Sequence, residues 1–135
     1  MNANHIRKAA LAAVSGSKPF PEIVGDLIAE GVEYYHVDYV RFQFTFYGSE
    51  GAVVVAPFTI ENLPEVGREL DVPALKAAIL DSQRNGQKFT RFSTRAMEAG
   101  VQGYYAFLRG KRVTYFGRNG DQHIEWFPGT QPKDG

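Results

Sequence analysis

The sequence predicts an α+β fold, a two-layer arrangement of a mixed or antiparallel sheet with helices on one face, built from a duplicated α-α-β-β-β unit. Three observations carry this reading. The stretch Gly100 to Pro128, GVQGYYAFLRGKRVTYFGRNGDQHIEWFP, reads as a three-stranded antiparallel meander. Its connections are Arg109-Gly110-Lys111 and a turn carrying Asn119-Gly120, a strong hairpin signal because both residues tolerate the positive φ of a tight turn. Two helical patterns precede the meander. The halves of the chain align without a gap at a constant offset of 69 residues, which sets Phe20 on Phe89, Gly31 on Gly100, Tyr35 on Tyr104, Thr45 on Thr114, Gly48 on Gly117 and Gly51 on Gly120. The matched glycines fall at a helix stop and at both ends of a hairpin turn, where backbone geometry favours them.

The elements follow in order. Residues 4–14 form the first helix, with Ile6, Ala9, Ala10, Ala13 and Val14 at helical spacing. Phe20 to Glu30 forms the second, started by Pro19 or Pro21 and closed by Gly31. Glu33 to Val37 is a strand turning near Asp38. Val40, Phe42, Phe44 and Phe46 alternate with Arg41, Gln43, Thr45 and Tyr47, the period of a half-buried strand. Ala52 to Ala56 is a third strand, and Pro57 ends it or marks a sheet edge. Residues 59–71 are an irregular connection, and Asp71 is placed to cap a helix over Val72 to Gln83. Phe89 to Ala99 is the last helix, capped near Lys88 or Thr90, with Phe92, Ala96 and Met97 inward. On it Arg95 can pair with Glu98 three residues on. One domain over 1–135 is expected, with repeat units at about 3–58 and 72–127 and a frayed tail over 129–135.

Composition narrows the function. Fifteen basic and fifteen acidic residues leave no net charge, so there is no long-range pull on nucleic acid or an anionic membrane. The chain has no cysteine, which removes disulfides, a thiol nucleophile and thiolate metal sites, and fits a cytoplasmic protein. No apolar run approaches the ~20 residues of a membrane span.

The residues that could carry chemistry fall into few groups. His123 and Glu125 lie two apart on one strand and therefore share a face, where they could orient a general base or supply two metal ligands. Two ligands are too few for a catalytic zinc, so a third group such as His5 or His36 would have to approach. No metal and no cofactor is expected. Tyr34, His36 and Asp38 share a strand face, with Tyr35, Val37 and Tyr39 on the other, and Tyr35, Tyr104, Tyr105 and Arg112 are the candidates for holding a small polar ligand. Arg109, Lys111, Arg112 and Arg118, interleaved with Tyr104, Tyr105, Tyr115 and Phe116, have the composition of a single-strand grip, though Glu98, Asp121 and Glu125 share the region. Phosphate-loop, HExxH, GxSxG and calcium-loop spacings do not occur.

The segment Ala99 to Pro128 resembles the closing signature of a small, partly prophage-borne bacterial family, the YdfO/YbcV-type family of unknown function, also labelled phage-envelope-protein-like. The matching residues are Ala99-Gly100, Tyr104, Gly110-Lys111, Val113, Tyr115, Gly117, Gly120, His123, Glu125 and Phe127-Pro128, with a weaker likeness through Phe20, Gly31-Val32 and Tyr35. The resemblance implies an α+β fold and brings no activity, ligand or catalytic residue. The function expected is therefore a small non-enzymatic domain binding a protein partner or small ligand, with a homodimer as one form. Alternatives are a hydrolase or metal-assisted enzyme using His123 and Glu125, and a nucleic-acid-associated accessory protein.

Overall fold

The structure is a computed structural model and describes residues 1–131. The first half runs α1 (Ala3–Ser15), α2 (Phe20–Ala29), β1 (Val32–Asp38), β2 (Gln43–Gly48) and β3 (Val53–Pro57), with a short 3-10 turn at Ser49–Gly51 before β3. The second half runs α3 (Val72–Asn85), α4 (Phe89–Glu98), β4 (Val101–Phe107), β5 (Arg112–Gly117) and β6 (Gln122–Trp126). All strand pairs are antiparallel, and the two meanders join into one six-stranded sheet of order β3-β2-β1-β4-β5-β6.

Strand alternation sorts the side chains. Tyr35, Val37, Phe44, Phe46, Val54, Ala56, Tyr104, Ala106 and Tyr115 turn inward and are buried. They meet Ile6, Ala9, Ile23, Leu27, Leu75, Ile79, Ala96 and Met97 from the helices in one core. Asp71 caps α3, its Oδ1 accepting from the Ala74 N–H at 3.0 Å. A buried hydrogen bond ties β1's end to α4, where the Tyr39 hydroxyl donates to Ser93 Oγ at 3.0 Å.

The α-α-β-β-β duplication extends to individual backbone hydrogen bonds. Tyr39 N–H donates to the Gln102 carbonyl, and Leu108 N–H, its equivalent, donates to the Glu33 carbonyl, both at 3.0 Å. Gly48 to Ala52 is repeated as Gly117 to Asp121, and Phe58 to Phe42 as Phe127 to Lys111. Each half carries a register shift at the same place, between Val32 and Tyr34 and between Val101 and Gly103. Phe42 and Lys111, also equivalent, share a φ of 56°.

Some expectations are corrected. The alternating strand begins at Gln43 and not at Val40. Asp38 Oδ1 accepts from the Val40 and Arg41 N–H groups at 2.8 and 2.9 Å, folding 39–42 into a side-chain-stabilised turn that leaves Val40 exposed. α4 has Lys88 at its N-cap position and no side-chain cap; Thr90 instead takes a hydrogen bond on its carbonyl from the Thr94 hydroxyl. Arg95 turns away from Glu98 to Asp81, at 2.7 Å, with Gln87 as a second acceptor. Residues 132–135 of the expected frayed tail lie outside the described residues. Among the described residues, no helix is long and apolar enough to cross a membrane.

Two equivalent glycines end α2 and α4 with left-handed backbones, Gly31 at φ 84° and Gly100 at φ 93°. Their surroundings differ. A Cβ on Gly31 would meet only Met1 Cγ at 3.8 Å, whereas on Gly100 it would run into the Glu69 carbonyl and come within 3.0 Å of Leu70 Cα. Gly31→Ala should therefore cost the backbone strain alone, about 1–2 kcal/mol. Gly100→Ala adds a clash with fixed backbone and should cost more than ~4 kcal/mol or prevent folding. Urea denaturation of the two variants measures the difference; equal losses would mean that the 59–71 connection does not pack on Gly100.

Candidate functional site: the open face of the sheet

With all four helices on one face, the other face of the sheet carries no covering layer among the described residues. Residues opposite each other in an antiparallel pair lie on the same face, so the registers lay this face out in three rows. The first is Val53, Tyr47, Tyr34, Phe107, Arg112 and Trp126. The middle row is Val55, Thr45, His36, Tyr105, Thr114 and Ile124, and the third is Pro57, Gln43, Asp38, Gly103, Phe116 and Gln122.

The first row is an aromatic band. The Tyr34 and Tyr47 rings stack with centroids 4.7 Å apart, and Phe107 lies 5.8 Å from Tyr34. Beyond it the Arg112 guanidinium sits 5.1 Å from the Trp126 ring centroid, a cation–π distance. In the middle row the rings of His36 and Tyr105 are 4.5 Å apart. These two residues are equivalent in the repeat and pair directly, so the internal twofold passes between them, with the equivalent pair Thr45 and Thr114 on either side.

The third row breaks the symmetry. The twofold carries Tyr34 onto Gly103 and Phe107 onto Asp38, so the two rings of the first row have a glycine and a carboxylate as counterparts. The result is a shallow depression of about 220 Å³ lined by His36, Gln102, Gly103, Tyr105 and Phe116. Glycine in a strand interior marks a close approach; a Cβ on Gly103 would lie 2.6 Å from the Val37 carbonyl oxygen and 3.1 Å from His36 Nε2. A second, more polar hollow of about 440 Å³ opens at the other end, between Tyr34, Phe107 and the Glu33–Arg109 ion pair of 2.6 Å.

The residues singled out from sequence divide between the faces. His123 and Glu125 share a strand face as their spacing requires, with His123 Nε2 2.9 Å from Glu125 Oε2, but it is the helix-covered face, at the edge strand, with the His123 ring beside Tyr115. His36 is on the opposite face, and His5 Nδ1 is 2.7 Å from Glu30 Oε1. The catalytic candidates His123, Glu125 and His36 therefore do not converge. Among the described residues, no three His, Cys, Asp or Glu side chains are grouped to hold a metal ion.

The ligand candidates split the same way. Tyr105 and Arg112 are on the open face, while Tyr35 and Tyr104 are buried under the helices. Burial raises the pKa of Tyr35, Tyr39, Tyr104 and Tyr115, so these phenols stay protonated and serve packing and hydrogen bonding. The basic set is dispersed. Arg109 pairs with Glu33, Arg112 lies on Trp126, and Arg118, past the far end of β5, donates to the Val66 carbonyl at 3.4 Å. Sequence reasoning named Phe116 only within the basic set and passed over Tyr47, Gly103 and Phe107; the signal for them was the repeat offset combined with the period-two alternation of the strands.

The family described as "Protein of unknown function (DUF1398)" matches residues 8–125. The chain belongs to this family. A comparison with curated proteins found no match. Membership in DUF1398 assigns no chemistry to the two faces, so the geometry of the sheet has to carry the functional argument.

His36 gives the open face a pH-dependent group. Burial lowers its pKa below the ordinary 6.5, with the Asp38 charge opposing in part. The folded state thus favours neutral imidazole, and this contribution to stability is full above the ordinary histidine pKa and is lost as pH falls through it toward the lower folded value. The urea midpoint of the wild type should drop between about pH 7.5 and pH 5, and His36→Phe should remove part of that drop. An unchanged slope in the variant would assign the dependence to other groups.

Proposed function

We propose that the chain is a non-enzymatic binding domain that docks a protein partner through the open face of its sheet. One observation carries the reading: six strands present three rows of side chains with no covering layer among the described residues, rich in aromatic rings and with only Asp38 and Arg112 of those rows formally charged. Val53, Val55 and Ile124 of this face are exposed. Aromatic residues and arginine in a surface otherwise depleted of charge are the composition of interface cores. The depression at Gly103 supports a small ligand as a lesser form of the same reading. An enzyme using His123 and Glu125 would need a further polar group beside them, and His36 is on the other face. A nucleic-acid role would need the arginines on one surface without carboxylates among them.

The finer family placement belongs to the same proposal. The signature from Ala99 to Pro128 supports a prophage-associated, phage-envelope-protein-like type, and a chain without cysteine suits the cytoplasm.

Affinity capture tests the docking surface. Wild-type chain, an open-face variant (Phe107→Ser with Ile124→Arg) and an edge variant (His123→Gln with Glu125→Gln) are immobilised at equal load and exposed to bacterial lysate. The expected outcome is a partner retained by wild type and by the edge variant and lost from the open-face variant. A partner indifferent to the open-face changes and lost with the edge changes would transfer the function to His123 and Glu125.

A further inference from the structure

We infer that the partner this face fits is a second copy of the same chain, in a face-to-face homodimer. The inference rests on the reading of the open face as the docking surface and adds the identity of the occupant. Its ground is the broken internal symmetry. The rings of Tyr34 and Phe107 and their counterparts Gly103 and Asp38 lie at equal distances on opposite sides of the His36–Tyr105 pair, because the internal twofold relates the two places, and a shallow hollow lies over Gly103.

Consider a twofold axis between two such sheets, perpendicular to the strands and running over the middle row. It carries the first row of one copy onto the third row of the other. The Phe107 ring then stands over the other copy's hollow at Gly103, and, since such a contact is isologous, the reverse fit forms at once. An unbroken repeat would have set ring on ring. The same operation gives both formal charges a chemical counterpart: the Asp38 carboxylate faces the phenol of Tyr34, and the Arg112 guanidinium faces the Phe116 ring. The middle row meets its own copy along the axis through His36, Tyr105 and Ile124, and burial keeps His36 toward its neutral form, which removes like-charge repulsion there.

The size is adequate. Six strands at about 4.8 Å spacing and about five residues at 3.4 Å cover roughly 500 Å² in projection. Two copies therefore bury about 1,000 Å² in total, the lower bound for a specific interface. Sheets packed face to face sit about 10 Å apart with strands roughly aligned, which this axis provides.

Sedimentation velocity of the full chain across micromolar to submillimolar concentration is the test. The expected result is a species of twice the chain mass, with its dissociation constant raised at least ~tenfold by Ile124→Arg, which places like charges near the axis. Ile124 is 41% exposed in the isolated chain, so the change leaves the fold intact. Leu11→Arg, on the outer side of α1 at 68% exposure, should leave the dimer unchanged. The chain has no cysteine, so a single Ile124→Cys treated with a short bismaleimide should cross-link copy to copy, and Leu11→Cys should not. A monomer at every concentration overturns the inference, as does a dimer indifferent to Ile124→Arg that fails to cross-link at 124. A monomer whose captured partner still depends on the open-face residues overturns the homodimer alone and leaves the docking surface standing.

Discussion

The pairing of β1 with β4 is the contact on which the rest of the structure depends. Each half alone is a three-stranded meander with two helices, and β1 or β4 would be its exposed edge. A unit of that size buries too little surface to be secure, and a long bare edge invites pairing with other chains. Joining the two edges antiparallel, from Tyr34 opposite Phe107 to Asp38 opposite Gly103, removes both edges and merges two small cores into one. The same pairing creates the internal twofold. Among the described residues it also leaves only β3 and β6 as edges, and β3 ends at Pro57, which has no N–H to offer a neighbour.

Most of the fold was legible because its signals are local. Helical spacing around Ile6 and Leu75, the Asp71 cap, the glycine stops and the Asn119-Gly120 turn each act over a few residues, and a single sequence displays them. The failures were of two kinds. Val40 to Phe42 alternates like a strand, but the Asp38 side chain takes two backbone N–H groups and bends the chain there. Local hydrogen bonding from an aspartate outcompeted periodicity. Arg95 had a plausible partner at Glu98 on its own helix, and a tertiary partner, Asp81, won.

The candidate site was less legible for a different reason. Alternation assigns residues to faces but does not say which face the helices cover. His123 with Glu125, and Tyr34 with His36, were each correctly grouped on a strand. Only the registers, with His123 opposite the buried Tyr115 and Tyr34 next to the buried Tyr35, show that the first pair turns toward the helices and the second away from them. The ligand candidates Tyr35, Tyr104, Tyr105 and Arg112 were chosen by residue type, and neighbours such as Tyr104 and Tyr105 point in opposite directions by the geometry of any strand.

The duplication also explains where the halves were free to diverge. Backbone features that hold the sheet are repeated: the register shifts at Glu33 and Gln102, the φ of 56° at Phe42 and Lys111, and the hairpin hydrogen bonds. The side chains between them are not. Residues 59–71 cross onto the second half, where Gly67 N–H donates to the Met97 carbonyl at 2.8 Å and Asp71 N–H to the Ala99 carbonyl at 2.7 Å, so Gly100 became sterically irreplaceable while Gly31 did not. On the open face no helix imposes a shape, and there the symmetry fails at the centre of the sheet, with Tyr34 and Phe107 set against Gly103 and Asp38. The covered face diverges as well, at its edge strands, where Val54 and Ala56 of β3 have His123 and Glu125 of β6 as counterparts. Helix packing therefore holds the centre of the sheet alike, with Tyr35 and Tyr104 both buried, and leaves the edges and the uncovered face free to differ.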